Sequence, residues 1–194
     1  LYGRLWIVHR LDKETSGVLI LARSAAAHRS LNTQFEQHTT EKIYHALARG
    51  EPDWETTSVR LPLRADGDRR HRTVVDAQQG KLAVTHLRVL QRFPGWTWLE
   101  ARPETGRTHQ IRTHLAALGL PLAGDALYGG KEHHFPLHPA GAPLAARLYL
   151  HAWRLSLQHP ITDERLTFTA PDPSDLLSLL RTLAGAGGLA TDIT

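Results

Sequence analysis

The chain has 194 residues, 41% of them hydrophobic, with a formal net charge of +4 and 13 histidines. That length buries about 70% of the unfolded surface, so one packed domain suffices. Cysteine is absent, which excludes disulfides, thiolate metal centres and a thiol nucleophile and favours a reducing compartment, the cytoplasm.

No early apolar run approaches a membrane span: the longest is Val18 to Ala22, against the roughly 20 residues that a bilayer needs. The positive charge gives a modest attraction to polyanions. The chain opens at Leu1 without any methionine, so a longer natural protein is expected.

His9-Arg10-Leu11-Asp12-Lys13-Glu14-Thr15-Ser16-Gly17 gathers an acid, bases, hydroxyls and a glycine before an apolar stretch that reads as a buried strand. Such a mixture fits a site loop and also a tight turn that satisfies its own backbone. Ser24 then reads as the N-cap of a helix with Ala27, Leu31 and Phe35 spaced four apart, and an alternating strand runs from Ile43 to Arg49.

Arg64, Arg69, Arg70, His71 and Arg72 mixed with Asp66, Gly67 and Asp68 predict a charged, irregular hairpin or loop and a candidate RNA contact. Strand patterns at Leu82 to Leu90 and Trp96 to Ala101 flank Pro94-Gly95, predicting a hairpin. After Gly106 comes a helix with Ile111, Leu115 and Leu118 on one face, Arg112 beside that face and Gly119 at its end.

Lys131 to Arg147 reads as a long loop, Leu148 to Leu157 and Arg165 to Thr169 as strands. Asp172 or Ser174 is placed to cap a last helix through Leu176, Leu177, Leu180 and Leu183. Runs of strands with separate helices, and no regular alternation, favour an α+β single domain on a largely antiparallel mixed sheet with flanking helices. The expected organisation is a domain over residues 1–184 and a flexible glycine-rich tail over 185–194.

The segment His-Arg-Leu-Asp-x-x-Thr-Ser-Gly resembles the signature of the RluA-type pseudouridine synthases. The likeness continues through Lys42-Ile43-Tyr44, Gly80 to Thr85, Gly106-Arg107-Thr108-His109-Gln110-Ile111-Arg112, Gly124 to Gly129, Leu150-His151-Ala152 and His159-Pro160. The resemblance implies the pseudouridine synthase fold and an isomerase that turns uridine into pseudouridine in structured RNA, in ribosomal or transfer RNA loops.

Carried over, the resemblance makes Asp12 the catalytic aspartate, Tyr44 the aromatic that stacks on the target base and Arg112 the basic partner of Asp12. Arg10 is then the residue that braces the gap left by the extruded nucleotide, and Leu150 an apolar wall of the base pocket.

Each residue type suits its role. A carboxylate serves as nucleophile or base, and a neighbouring arginine favours its charged form; stacking on an aromatic contributes roughly 1–3 kcal/mol per base. Attack on the sugar, attack on the base and abstraction of a ribose proton all use the same ionised Asp12. Extrusion of the uridine costs a few kcal/mol, least in loops.

The isomerisation has no net redox change, so no cofactor and no metal are expected. Arg69, Arg70 and Arg72 are the expected phosphate contacts beyond the site. A monomer is expected, since no unpartnered apolar stripe stands out.

Three other functions fit parts of the sequence. A metal enzyme would use His133, His134 and His138, but these lack a helical His-x-x-x-His pair. A non-catalytic RNA-binding module would not need Asp12, Tyr44 and Arg112. An acyl hydrolase would pair Ser16 with His9, but Ser16 lacks the Gly-x-Ser-x-Gly elbow.

Overall fold

A computed structural model describes residues 3–129 and 147–185. The expected loop over Lys131 to Arg147 lies, but for Arg147, outside the described residues, as do His133, His134, His138 and the tail beyond Gly185.

The strands are β1 (Trp6–Ile7), β2 (Ser16–Gly17), β3 (Leu21–Ala22), β4 (Glu41–Arg49), β5 (Thr56–Arg64), β6 (Val74–Val75), β7 (Lys81–Phe93), β8 (Trp96–Pro103), β9 (Leu150–Gln158) and β10 (Arg165–Thr169). The helices are α1 (Ala25–Glu36), α2 (Gln110–Ala117) and α3 (Ser174–Ala184). The main sheet runs β10-β9-β4-β8-β7-β5-β6, antiparallel at every step, and β2 adds to β9 in parallel. This is the expected largely antiparallel α+β domain.

The two central strands are covered on both faces. Ala46, Ala48 and Leu99 face α2, where Ile111 and Leu115 complete one core; Leu47 and Trp98 face α3, where Leu176, Leu179 and Leu180 complete another. Alternation along β4 therefore puts Tyr44, Ala46 and Ala48 on the α2 face. A third cluster packs α1, through Ala27 and Leu31, against Leu155 and Leu157 of β9.

The Pro94-Gly95 hairpin forms as expected, with Gly95 at φ +75°, and Ser24 caps α1 by accepting the Ala27 amide at 3.1 Å. Several elements depart from expectation. Val18 to Ala22 is not a buried strand: only Leu21 and Ala22 pair, with β1, and Leu19 and Leu21 are exposed. Leu118 follows α2 as its C-cap and is 41% exposed, because the chain turns at Gly119 before its side chain reaches the core.

Neither Asp172 nor Ser174 caps α3; Pro173 holds that position, with no side-chain bond. Asp172 instead binds the Nδ1 of buried His45 at 2.8 Å, whose ring stacks on Trp153. A buried carboxylate is better satisfied there than at an exposed helix end.

Two imidazoles, the half-buried His9 and the buried His114, set an acid limit on the fold. Burial, then the charge of Lys42, pushes His9 down to about 4, and burial alone pushes His114 down to about 4. The unfolded chain takes up these protons below about 6.5, whereas the native rings stay neutral until about 4. Stability from this source is therefore complete above pH 6.5 and is lost as pH falls towards 4. Urea midpoints measured at pH 7.5, 6 and 5 should fall in that order, and His114→Gln should fall less steeply.

Candidate active site

The loop carrying Asp12 is fixed at three points. The Thr15 amide donates to the Asp12 carbonyl at 3.0 Å, closing a turn over Lys13 and Glu14. The His9 ring stacks on Phe35 and its Nε2 accepts the Ile20 amide at 2.9 Å. Ser16 and Gly17 then join the sheet beside His151 and Ala152.

His151 Nε2 lies 3.1 Å from the Ala170 carbonyl, so it carries the proton, and Nδ1 must accept from the Ser16 hydroxyl at 2.9 Å. Ser16 thus anchors the loop, and among the described residues no acid completes a hydrolase arrangement around it.

Arg112 reaches the loop from the first turn of α2. Gln110 sets the start of that helix: its Oε1 accepts from the Arg107 amide and the Thr105 hydroxyl, and its Nε2 donates to the Val84 carbonyl and Thr85. With that clip holding residues 105–107 to β7, Arg112 projects into the protein at 5% exposure.

Its best partner is Asp125, which the sequence reading had not singled out. Nε and Nη2 of Arg112 each donate to an Asp125 oxygen at 2.8 Å, while Nη1 reaches Asp12 Oδ2 at 3.4 Å. Burial works against the Arg112 charge, but the hydrogen bonds and charge of Asp125, then Asp12, more than offset it and raise its pKa. Asp125 fixes the plane of the guanidinium, and the third nitrogen is presented to Asp12.

On the other side of Asp12 stands His109, with Nε2 4.0 Å from Asp12 Oδ1. Tyr128 Oη accepts the Thr73 amide at 2.8 Å, and its own proton is then available to His109 Nδ1 at 3.0 Å. That bond puts the neutral ring's proton on Nε2, facing Asp12. Burial lowers the pKa of His109, with Asp12 opposing and Arg112 assisting. The residue is also left-handed, φ 50°, just ahead of α2. The Tyr128 ring lies against Arg112, 5.1 Å from the guanidinium carbon.

The predicted basic hairpin is the β5–β6 connection. Arg70 donates to the Ala126 carbonyl, and Arg72 to Asp68 and the Leu127 carbonyl. Two of the three arginines therefore brace the turn that carries Asp125 and Tyr128, and Arg69 stands exposed.

A cavity of about 280 Å³ opens beside these groups. Asp12, Arg10, Tyr44, Leu150, His109 and Arg112 all line it, so five sequence-predicted residues meet at one place while Arg69, Arg70 and Arg72 do not. Tyr44 is partly buried, and burial followed by the Asp12 charge pushes its hydroxyl up to about 12; it is a neutral ring at working pH. Leu150 is 4% exposed and Arg10 is exposed at the rim.

No group of three or more metal-ligating side chains occurs among the described residues. Among them, no helix is long and apolar enough to cross a membrane.

Residues 2–117 match the family model described as RNA pseudouridylate synthase. The chain belongs to that family.

A ribosomal large subunit pseudouridine synthase D of Neisseria meningitidis is 40% identical over 198 residues, covering 98% of this chain and 51% of that protein. An RNA pseudouridine synthase of Chloroflexus aurantiacus is 44% identical over 177 residues, covering 91% of this chain and 53% of that protein. This chain therefore spans about half the length of the curated relatives it matches.

Among solved structures, human RNA pseudouridylate synthase domain containing 1 superposes with a TM-score of 0.72 at 31% identity, over 88% of this chain and 70% of that one. Human RNA pseudouridylate synthase domain containing 4 gives a TM-score of 0.78 at 25% identity, over 94% and 77%. The segment matched by the family model holds Asp12, Tyr44 and Arg112; Asp125, Tyr128 and Leu150 lie beyond it.

Proposed function

We propose that this chain isomerises uridine to pseudouridine in RNA, with Asp12 as the reacting carboxylate. The observation that carries the reading is the meeting of Asp12, an Arg112 guanidinium fixed by Asp125, and the partly buried Tyr44 ring around one cavity. A pocket of this size sits near the lower edge of the usual ligand range, roughly 300–1,000 Å³. It suits one extruded nucleoside and not a helix of RNA.

In this reading the N1–C1′ bond of the target breaks, C5 bonds to C1′, and the C5 proton is given up while N1 gains one. The balance needs no oxidant, metal or cofactor. Asp12 starts the sequence with Arg112 Nη1 3.4 Å from its carboxylate, Tyr44 stacks on the uracil, Leu150 closes the wall behind it, and Arg10 braces the emptied position in the RNA. Arg69 and the outer faces of Arg70 and Arg72 meet phosphates on the flank.

The names of the Neisseria relative and its kin point to large-subunit ribosomal RNA as the first substrate to try, with transfer RNA second. We infer a cytoplasmic monomer, with residues 1–184 forming the catalytic unit.

The test is to incubate ribosomal and transfer RNA lacking pseudouridine with the wild type and with Asp12→Asn, then map pseudouridines by carbodiimide blocks to reverse transcription. Wild type should place pseudouridine at discrete sites and Asp12→Asn at none, with an unchanged melting temperature. RNA binding without any pseudouridine from the wild type would replace the isomerase with a binding module.

A further inference from the structure

Lys42 is a cation that the reaction as described leaves unused. It sits two residues before Tyr44 on β4, so both side chains leave the same face of the strand, about 7 Å apart, and both line the cavity. Among the described residues its one hydrogen bond goes to a carbonyl, that of Thr105, at 3.4 Å. Among the described residues no carboxylate stands within ion-pair distance of its Nζ.

The groups around the cavity do not supply a counter-charge. His9 comes from the Asp12 loop, His38 from the turn after α1, and Arg107 and His109 from the approach to α2; all are neutral or basic. The Tyr44 hydroxyl stays protonated, and Asp12 is engaged by Arg112. Burial accordingly lowers Lys42 to about 8.

A half-buried ammonium without a partner is costly unless a ligand supplies the anion. Space for one exists: Gly106 faces Nζ with no side chain, and even an added Cβ would stop 4.0 Å short of it. Lys42 and Tyr44 are both partly exposed on this cavity, so a nucleotide whose base meets Tyr44 has its charged part within reach of the ammonium.

We propose that Lys42 binds a phosphate of the extruded nucleotide, clamping the backbone beside the target while Tyr44 stacks on its base. The proposal rests on the isomerase reading for its substrate, and it makes Lys42 a substrate-binding residue. An ammonium that meets a phosphate is held in its charged form, so binding takes up a proton at alkaline pH.

The experiment measures binding of the 194-residue chain to a large-subunit ribosomal RNA transcript, as wild type, Lys42→Met and Lys42→Arg, across salt and from pH 7 to 8.8. Lys42→Met should bind about tenfold or more weakly, as for loss of a charge-assisted bond. Its salt slope should be smaller by about 0.7–0.9. Wild-type affinity should fall as pH rises past 8, whereas Lys42→Arg, charged throughout, should bind well with a flat profile that also records any titration of the RNA. Uridine 5′- or 3′-monophosphate should compete better than uridine against wild type and no better against Lys42→Met.

Unchanged affinity and salt slope in Lys42→Met, with only turnover reduced, would assign the charge to the departing uracil and overturn the phosphate contact. Equal losses in Lys42→Met and Lys42→Arg, with lowered melting temperatures, would make Lys42 a packing residue. Pseudouridine formation by the wild type in the same samples reads the isomerase assignment separately, because the binding comparison does not depend on turnover.

Discussion

Asp125→Ala is expected to abolish pseudouridine formation and to lower stability by about 3–5 kcal/mol, the cost of breaking a buried ion pair from one side. Asp125 is 2% exposed and satisfies four donors: two guanidinium nitrogens of Arg112, and the amides of Leu127 and Tyr128 at 3.0 and 3.1 Å. Its loss leaves a cation at 5% exposure without its bidentate partner and opens the turn that positions Tyr128.

Arg112 would then turn its full charge onto Asp12, at present 3.4 Å away, and hold the carboxylate in a tight pair in place of presenting it to substrate. Asp125→Asn keeps the shape and one acceptor, so it should fold better than the alanine variant yet lose turnover to a similar degree. Urea unfolding and single-turnover pseudouridine formation separate the two effects. An alanine variant within about 1 kcal/mol of wild type, the range of exposed ion pairs, would contradict a closed, buried pair.

The legibility of this site divides along the same line. Asp12, Tyr44, Arg112, Arg10 and Leu150 could be placed because they sit in short segments whose order resembles a known signature, and the fold brings all five to one cavity. Asp125 lay within a quoted segment, but nothing local distinguishes its carboxylate from a turn-capping aspartate. Only the packing of α2 against residues 125–128 shows that it serves both ends.

His109 and Tyr128 were hidden for a related reason. Their pairing runs through the Thr73 amide, from a different part of the chain, and backbone donors leave no mark in a side-chain pattern.

The fold was most readable where punctuation and periodicity agree. Pro94-Gly95 gave the β7–β8 hairpin, and Ser24 with its four-residue apolar spacing gave α1. β5 carries a weak strand signal, since Pro62 stands near its C-terminal end and proline argues against an internal strand. The structure accommodates it because β6 pairs only with Leu63 and Arg64, and just beyond that pairing Pro62 accepts the Asp76 amide at 2.9 Å through its carbonyl without having to donate in return. The basic hairpin was recognised as charged and irregular, but the inward bonds of Arg70 and Arg72 depend on carbonyls that charge patterning cannot register.

Gly17→Ala should be nearly as damaging as the loss of Asp125, and it bears on why the site loop ends in Ser-Gly. Gly17 has φ +114°, a conformation that L side chains rarely adopt, and an added Cβ would lie 2.2 Å from the Ala152 carbonyl oxygen and 2.6 Å from the Ala152 nitrogen. Both obstacles are backbone of β9, a strand held on its other flank by β4, so neither can withdraw.

Backbone strain of about 1–3 kcal/mol therefore adds to an overpacking cost of similar size. The cheapest escape is for Ser16 and Gly17 to leave β9 altogether. That release breaks the Ser16–His151 bond and the Val18 amide's bond to the Ala152 carbonyl, and it frees the turn whose corner is Asp12. The expected result is loss of activity with the remaining sheet largely retained, read as faster amide exchange confined to residues 12–20 alongside a pseudouridine assay. Global unfolding would show instead that β2 is needed for the sheet itself, and wild-type activity would mean that the loop reaches its geometry without docking on β9.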